Sequence, residues 1–157
     1  MTKLTIFPQH NKFLVTDQNN RTLYTIKRKW RGGYAILDQN HYELYVLSPG
    51  TQERHPVYQI QLNGKKCGEY RCKSKFLEPA MLLELGTKTM MLRTDDGLSY
   101  TILVKNQPCG SMTVIPLPRN EYKYELQIED AEFDDYIPLL PLAAVECIAP
   151  KEKEAQR

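Results

Sequence analysis

The 157-residue sequence has little of what usually announces a function. No apolar run reaches the ~20 residues a membrane-spanning helix needs. The longest, Tyr136 to Ala149, is about 14 residues and carries Glu146. The first stretch, "MTKLTIFPQHNKFLV", lacks the apolar centre of a secretion signal, so the chain is expected in the cytoplasm, or peripheral at a membrane, with no transmembrane segment. Cysteines number only four. Cys67 and Cys72 are five apart and Cys109 and Cys147 stand alone, whereas structural zinc sites use pairs two to four apart. Reduced thiols, with Cys147 a small buried hydrophobe, are the reading that follows. Histidines are fewer still: His10, His41 and His55, each beside a turn. There is no nucleophile elbow, paired metal-ligand motif or phosphate-binding loop. The acids of 129–135 lack the spacing and glycine of an EF-hand. A non-enzymatic protein without a cofactor or metal is therefore expected. The net charge is only +2, so the chain as a whole is no magnet for nucleic acid, and electrostatic recognition has to come from a local patch.

What the chain does have is period-two alternation. In "YKYELQIE", Tyr122, Tyr124, Leu126 and Ile128 face one way and Lys123, Glu125, Gln127 and Glu129 the other. "LSYTILVK" puts Tyr100, Ile102 and Val104 on one face. "VYQIQLN" groups Tyr58, Ile60 and Leu62 against Val57 and Gln61. Such patterns are strands with one buried and one wet side. Turn signals separate them: "DQNN" at 17–20, "RGG" at 31–33, "DQNH" at 38–41, "NG" at 63–64, "DDG" at 95–97 and "NQPCG" at 106–110. About twelve strands are predicted, at 3–7, 12–16, 22–29, 34–38, 42–48, 57–62, 67–73, 80–84, 89–94, 99–105, 111–116 and 122–129. "VTDQNNRTLYTI" and "ILDQNHYELYVL" share a strand–DQN–strand plan, either an internal echo or two hairpins with like turns. Both imply antiparallel pairing of consecutive strands. No linker divides the chain: residues 1–150 read as one domain and 151–157 as a charged, frayed tail.

The end of the chain breaks the pattern. "DDYIPLLPLAAVECIA" leaves no polar stripe apart from Glu146. Asp134 or Asp135 can cap a helix there, and Lys151 and Lys153 suit its other end. Pro138 fits the first turn. Pro141 either removes a donor inside the helix or marks where regular helix begins, so a kink or an irregular first turn is expected in a helix over 138–149. A helix apolar all round has to be surrounded. A barrel of about twelve strands is too wide for its own side chains to fill, and a helix on its axis supplies the missing core. The alternative is a peripheral helix docking on a membrane or partner.

The "LVTDQNNRTLYTIK" hairpin, the "CGEYRCK" strand and "CGSMTVIPLPRNEYKYELQIED" running into "DDYIPLLPLAAVECIA" together resemble the tubby C-terminal-like superfamily. The likeness is greatest to its small bacterial members and the plant LURP-one-related proteins, and more distant to phospholipid scramblases. It spans nearly all of residues 3 to 149. It implies a bacterial-type protein with a closed antiparallel barrel of twelve strands threaded by a hydrophobic C-terminal helix. The chain has no scramblase-like membrane-spanning end, acylation run or calcium loop, which argues against lipid scrambling. No family binding residue maps onto it position by position.

Two basic groups are the candidate sites. In "IKRKWRGG", Lys27, Arg28, Lys29 and Arg31 flank Trp30. They form either an anion-binding corner for lipid headgroups or a charged strand end that guards an edge. Alternation through this stretch would put Arg28 and Trp30 on one face and the other three on the opposite one. In "NGKKCGEYRCKSK", beside Lys65 and Lys66, alternation puts Arg71, Lys73 and Lys75 together, as an anion site or a solvated face. The sequence therefore points to a binding module for anionic phospholipid or another phosphate-bearing ligand, or else to a protein-interaction scaffold, with an enzyme whose site is assembled from distant residues as a third, weaker reading.

Overall fold

The protein is described from a computed structural model that covers residues 1–50, 56–74 and 78–151. Among these residues twelve strands form one closed barrel. They are β1 (Thr2–Gln9), β2 (Lys12–Thr16), β3 (Thr22–Arg28), β4 (Tyr34–Leu37), β5 (Glu43–Pro49), β6 (Val57–Leu62), β7 (Lys65–Ser74), β8 (Ala80–Leu85), β9 (Lys88–Thr94), β10 (Ser99–Val104), β11 (Gln107–Leu117) and β12 (Glu121–Ile128). Each strand pairs antiparallel with the next, and β1 closes on β12 with Leu4 opposite Leu126. The turns of such a meander fall alternately at its two ends.

Alternation sorts the side chains as the pattern requires. Tyr124, Leu126 and Ile128 are buried, as are Tyr100 and Ile102. Leu62, on the predicted inward phase, is exposed because it is the last residue of β6 and stands at the barrel's rim; the β6–β7 register shift nearby falls on β7, at Cys67. "NQPCG" is not a turn. Lys105 and Asn106, both at positive φ, make the connection, and β11 already begins at Gln107. Gly110 lies within β11, where a Cβ would sit 2.3 Å from the Gln127 carbonyl oxygen.

The two DQN hairpins are built alike. Asp17 Oδ1 accepts the N–H groups of Asn19 and Arg21, and Asp38 Oδ1 those of Asn40 and Tyr42. Asn20 and His41 take the positive φ. A register shift follows in each hairpin. Equivalent tyrosines then hold the segment leading into the helix: Tyr24 Oη donates to Asp135, and the Tyr45 ring meets Tyr136 edge-on at 5.5 Å.

That segment enters one end of the barrel, the inlet, where the N-terminal amine pairs with Asp130 and Lys88 with Glu132. The chain leaves at the outlet, where the Lys151 N–H donates to Asp96 O. Between the two lie a 3₁₀ turn, Ile137–Leu139, and the helix α1, Leu140–Cys147. Of the two roles open to Pro141, it takes the second. It sits in the first turn of α1, where its missing donor has no intrahelical partner in any case. The helix stops two residues short of the expected Ala149, with Ile148 extended. Neither Asp134 nor Asp135 caps it, since no side chain does and no acid stands in its first turn. Asp135 is held by Tyr24 instead, and the 3₁₀ turn separates both acids from α1. Lys151 lies beyond the helix, and Lys153 is outside the described residues.

The helix is the barrel's core. Leu139, Leu140, Leu142, Ala143, Ala144 and Cys147 are all buried, on every side of the axis. Strands from several directions reach it: Tyr70 Oη of β7 donates to Leu140 O at 3.1 Å, and Tyr34 of β4 and Tyr58 of β6 bond Glu146. Truncating Leu142 leaves a hole at this centre. We expect Leu142→Ala to lower the urea-unfolding free energy by about 2–5 kcal/mol, and Val145→Ala, at a half-buried position, to cost clearly less.

Candidate functional site

The basic hairpin between β3 and β4 lies at the outlet. β3 ends at Arg28, so alternation stops there and the two-face split predicted for residues 27 to 31 does not apply. Residues 29–33 form a compact tip instead. The Lys29 N–H donates to Gly33 O at 3.0 Å and the Gly32 N–H to Lys29 O at 2.9 Å. Gly33 has φ +85, and a Cβ there would lie 2.1 Å from the Leu47 carbonyl oxygen, so only glycine fits. The tip holds Trp30 out in solvent, 88% exposed, with the Arg31 guanidinium 4.8 Å from its ring centroid. Lys29 turns aside to pair with Glu43 at 3.0 Å.

Arg28 belongs to the inward phase of β3 but stays at the rim. Its guanidinium lies 5.0 Å from the Phe13 ring centroid and 5.6 Å from that of Tyr34, and Nη1 donates to Tyr34 Oη at 3.4 Å. Lys27 points outward, directly opposite Lys12 of β2. Like charges facing each other across a strand pair are unfavourable, and no carboxylate pairs with either lysine among the described residues. Lys12 escaped the sequence reading because it stands fifteen positions away, and only the β2–β3 register brings it to Lys27.

The second basic group is less concentrated than alternation suggested. Arg71 points outward between the buried Tyr70 and Cys72, and Lys73 follows, exposed, at a register shift. Arg71 pairs with Glu84 of β8, however, and Lys66 pairs with Glu69 at 2.6 Å. Acids thus interrupt this face. Lys65 and Lys73 are exposed, and Lys75 is outside the described residues.

Inside the outlet rim, Tyr34 Oη and Tyr58 Oη each donate to a different oxygen of Glu146, the polar residue that interrupts α1. Burial, followed by the bond to Glu146, raises both hydroxyl pKa values far above the ordinary tyrosine value. A hydroxyl held protonated in this way is a donor and a poor nucleophile, so the cluster reads as an anchor for the end of the helix. His10 and His41 are exposed turn residues at positive φ, and His55 lies outside the described residues. None of the four cysteines is in a disulfide. Among the described residues no group of three or more His, Cys, Asp or Glu is placed to hold a metal ion, and no helix is long and apolar enough to cross a membrane.

No family model matches the chain, and no curated protein matches it. A protein from Arabidopsis thaliana, solved by X-ray crystallography, is similar to it at 14% identity and a TM-score of 0.39, covering 92% of this chain and 88% of that one.

The tyrosines give the fold a definite alkaline limit. Burial pushes Tyr45 and Tyr136 up to about 12, and Tyr24, Tyr70, Tyr100 and Tyr124 upward as well. A folded-state pKa above the unfolded value of 10 means the folded protein binds more protons. The resulting stability is complete below pH ~10 and is lost as pH rises through the folded values. Tyrosinate absorbance and loss of circular dichroism are expected to rise together above pH ~10. Ionisation of most tyrosines before any unfolding would contradict this account.

Proposed function

We propose that the barrel is a non-enzymatic binding module that docks its outlet end on anionic phospholipid. Trp30 is the interfacial anchor, and Lys12, Lys27, Arg28 and Arg31 lie against the headgroups. The carrying observation is Trp30 itself: a large aromatic standing 88% exposed on a glycine-braced tip, with the Arg31 guanidinium over its ring and Lys29 beside it in the chain. Tryptophan is favoured at the boundary between headgroup and acyl chain. Resemblance to the tubby C-terminal-like superfamily, whose tubby members carry a phosphoinositide pocket, supports the reading from the sequence side. The Arg71 and Lys73 face is a secondary contact, because its acids offset it.

Rough magnitudes describe the binding. Each basic residue at an anionic surface contributes about 1 kcal/mol. Four of them alone give about 4 kcal/mol, near millimolar affinity. Burying Trp30 adds about 2 kcal/mol, on the scale of a large apolar side chain. The sum is weak, reversible and salt-sensitive association.

Vesicle flotation tests this. The protein is expected to float with phosphatidylcholine vesicles containing phosphatidylserine, to stay behind with phosphatidylcholine alone, and to detach as salt rises. Trp30→Ala should weaken binding about thirtyfold, the loss of about 2 kcal/mol. Arg71→Glu with Lys73→Glu should weaken it less. Failure to float with anionic vesicles at low salt removes the reading. Binding of a soluble phosphate ester that survives Trp30→Ala would point to a free ligand rather than a bilayer.

The facing lysines provide a separate check. Lys27→Gln removes their repulsion and is expected to raise stability by a few tenths of a kcal/mol, up to about 1, while lowering vesicle affinity. Lower stability together with unchanged flotation would show that the pair has neither role.

A further inference from the structure

A different part of the wall, away from the tip, carries a second surface. The cross-strand register sets Leu82 of β8, Met91 of β9 and Leu103 of β10 side by side. All three point outward, since their chain neighbours Met81, Leu83, Met90, Leu92 and Ile102 are buried inside. Neighbouring strands are about 4.8 Å apart, so the apolar row is roughly 10 Å long. On β11, β12 and β1 the corresponding wall is polar, with Ser111 facing Gln127 and Gln127 facing Lys3. Met91 and Leu103 floor a groove of about 590 Å³ that runs toward the inlet and is rimmed by Lys88, Lys105 and Glu132.

A cation stands at each end of this row, and the exposed Asp95 lies beyond Arg93 toward the outlet. Glu84 is paired with Arg71, and Glu132 with Lys88. No ion pair engages Arg93 or Lys105 among the described residues. Arg93 stands opposite Thr101, Met91 opposite Leu103, and Lys105 follows Val104. The order is thus a cation beside Thr101, the apolar row at Leu103 and, in the turn just past Val104, a second cation that borders the groove, roughly 13 Å from first to last.

We infer that this groove is a docking site for an extended peptide segment of a protein partner, with carboxylates at alternate positions on either side of one apolar side chain. In an extended chain, residues two apart share a face about 6.6 Å apart. Acid, apolar residue and second acid, each separated by one residue, therefore match Arg93, the Leu82–Met91–Leu103 row and Lys105. The barrel is closed and offers no strand edge, so recognition runs through side chains and not through strand addition. The site lies on the β8–β10 wall, on other strands than the β3–β4 hairpin that carries Trp30, with Arg93 toward the outlet and Lys105 at the inlet.

The test uses the full chain and a labelled, end-blocked heptapeptide with aspartates at its second and sixth positions, leucine at the fourth and serines between. Fluorescence anisotropy and methyl NMR shifts of Met91 and Leu103 report binding. Saturable binding with shifts at these methyls is expected. Replacing the peptide leucine by serine, or Met91→Ser with Leu103→Ser in the barrel, should weaken it at least tenfold. Arg93→Glu with Lys105→Glu should abolish it and confer binding of the matching lysine-containing peptide. Absence of methyl shifts at millimolar peptide overturns the proposal. So does binding indifferent to the leucine, or acquisition of no affinity for the lysine peptide by the charge-swapped protein. Because Trp30→Ala leaves this surface intact, loss of vesicle binding and loss of peptide binding are separately observable.

Discussion

A closed ring of twelve strands encloses more space than its own inward side chains can fill. That constraint governs the rest of the structure. Without α1, the buried faces of β4, β6, β7 and β9 would surround a void, and a void forfeits the dispersion contacts of everything lining it. With α1 in place, the last described segment of the chain completes a core to which every strand before it contributes. The barrel and the helix are therefore one cooperative unit. Neither the sheet, hollow, nor the helix, apolar all round and only eight residues long, is a plausible stable species alone.

Placing a chain on the axis of a barrel creates a second problem, which is where it enters and leaves. Backbone and acidic groups at both mouths need partners. The solution uses tyrosines that begin in the wall and end at the axis. At the inlet, Tyr24 reaches Asp135 and Tyr45 packs on Tyr136. Midway, Tyr70 reaches the Leu140 carbonyl, and at the outlet Tyr34 and Tyr58 share Glu146. A tyrosine suits this because its ring fills the interior while its hydroxyl supplies a donor at full length. The single acid that seemed to spoil the apolar helix is in fact where the wall grips its end.

Much of this was legible in the sequence, and the reason is physical. A half-buried antiparallel strand must alternate, and a tight turn needs Asn, Asp or Gly at positive φ. All twelve strands and the enclosed helix follow from those two requirements plus the absence of a polar stripe. What failed depends on register and reach. Leu62 is exposed because β6 ends with it at the rim, and β3 ends at Arg28, two residues short of Trp30. Lys12 meets Lys27 only through strand pairing. The Glu146 contacts cross 112 and 88 positions. Local pattern is blind to such pairs. Composition alone singled out Trp30 and its cations, but whether the ring was core or surface was decided by the hairpin that carries it.

The same architecture explains why recognition would sit on the outside. The helix takes up the axis that a hollow barrel would offer a ligand, and a closed sheet has no edge to offer. Turns and outward side chains are the parts of it that face solvent. The outlet turn can carry Trp30 because Gly32 and Gly33 close the tip while packing tightly on β5. Outward positions on β8, β9 and β10 are free to be apolar because their inward neighbours already supply the packing. The core thus fixes the position of each surface feature while leaving its chemistry open. Substitution at Trp30, Arg93 or Leu103 therefore changes what the barrel can touch without changing how it is filled.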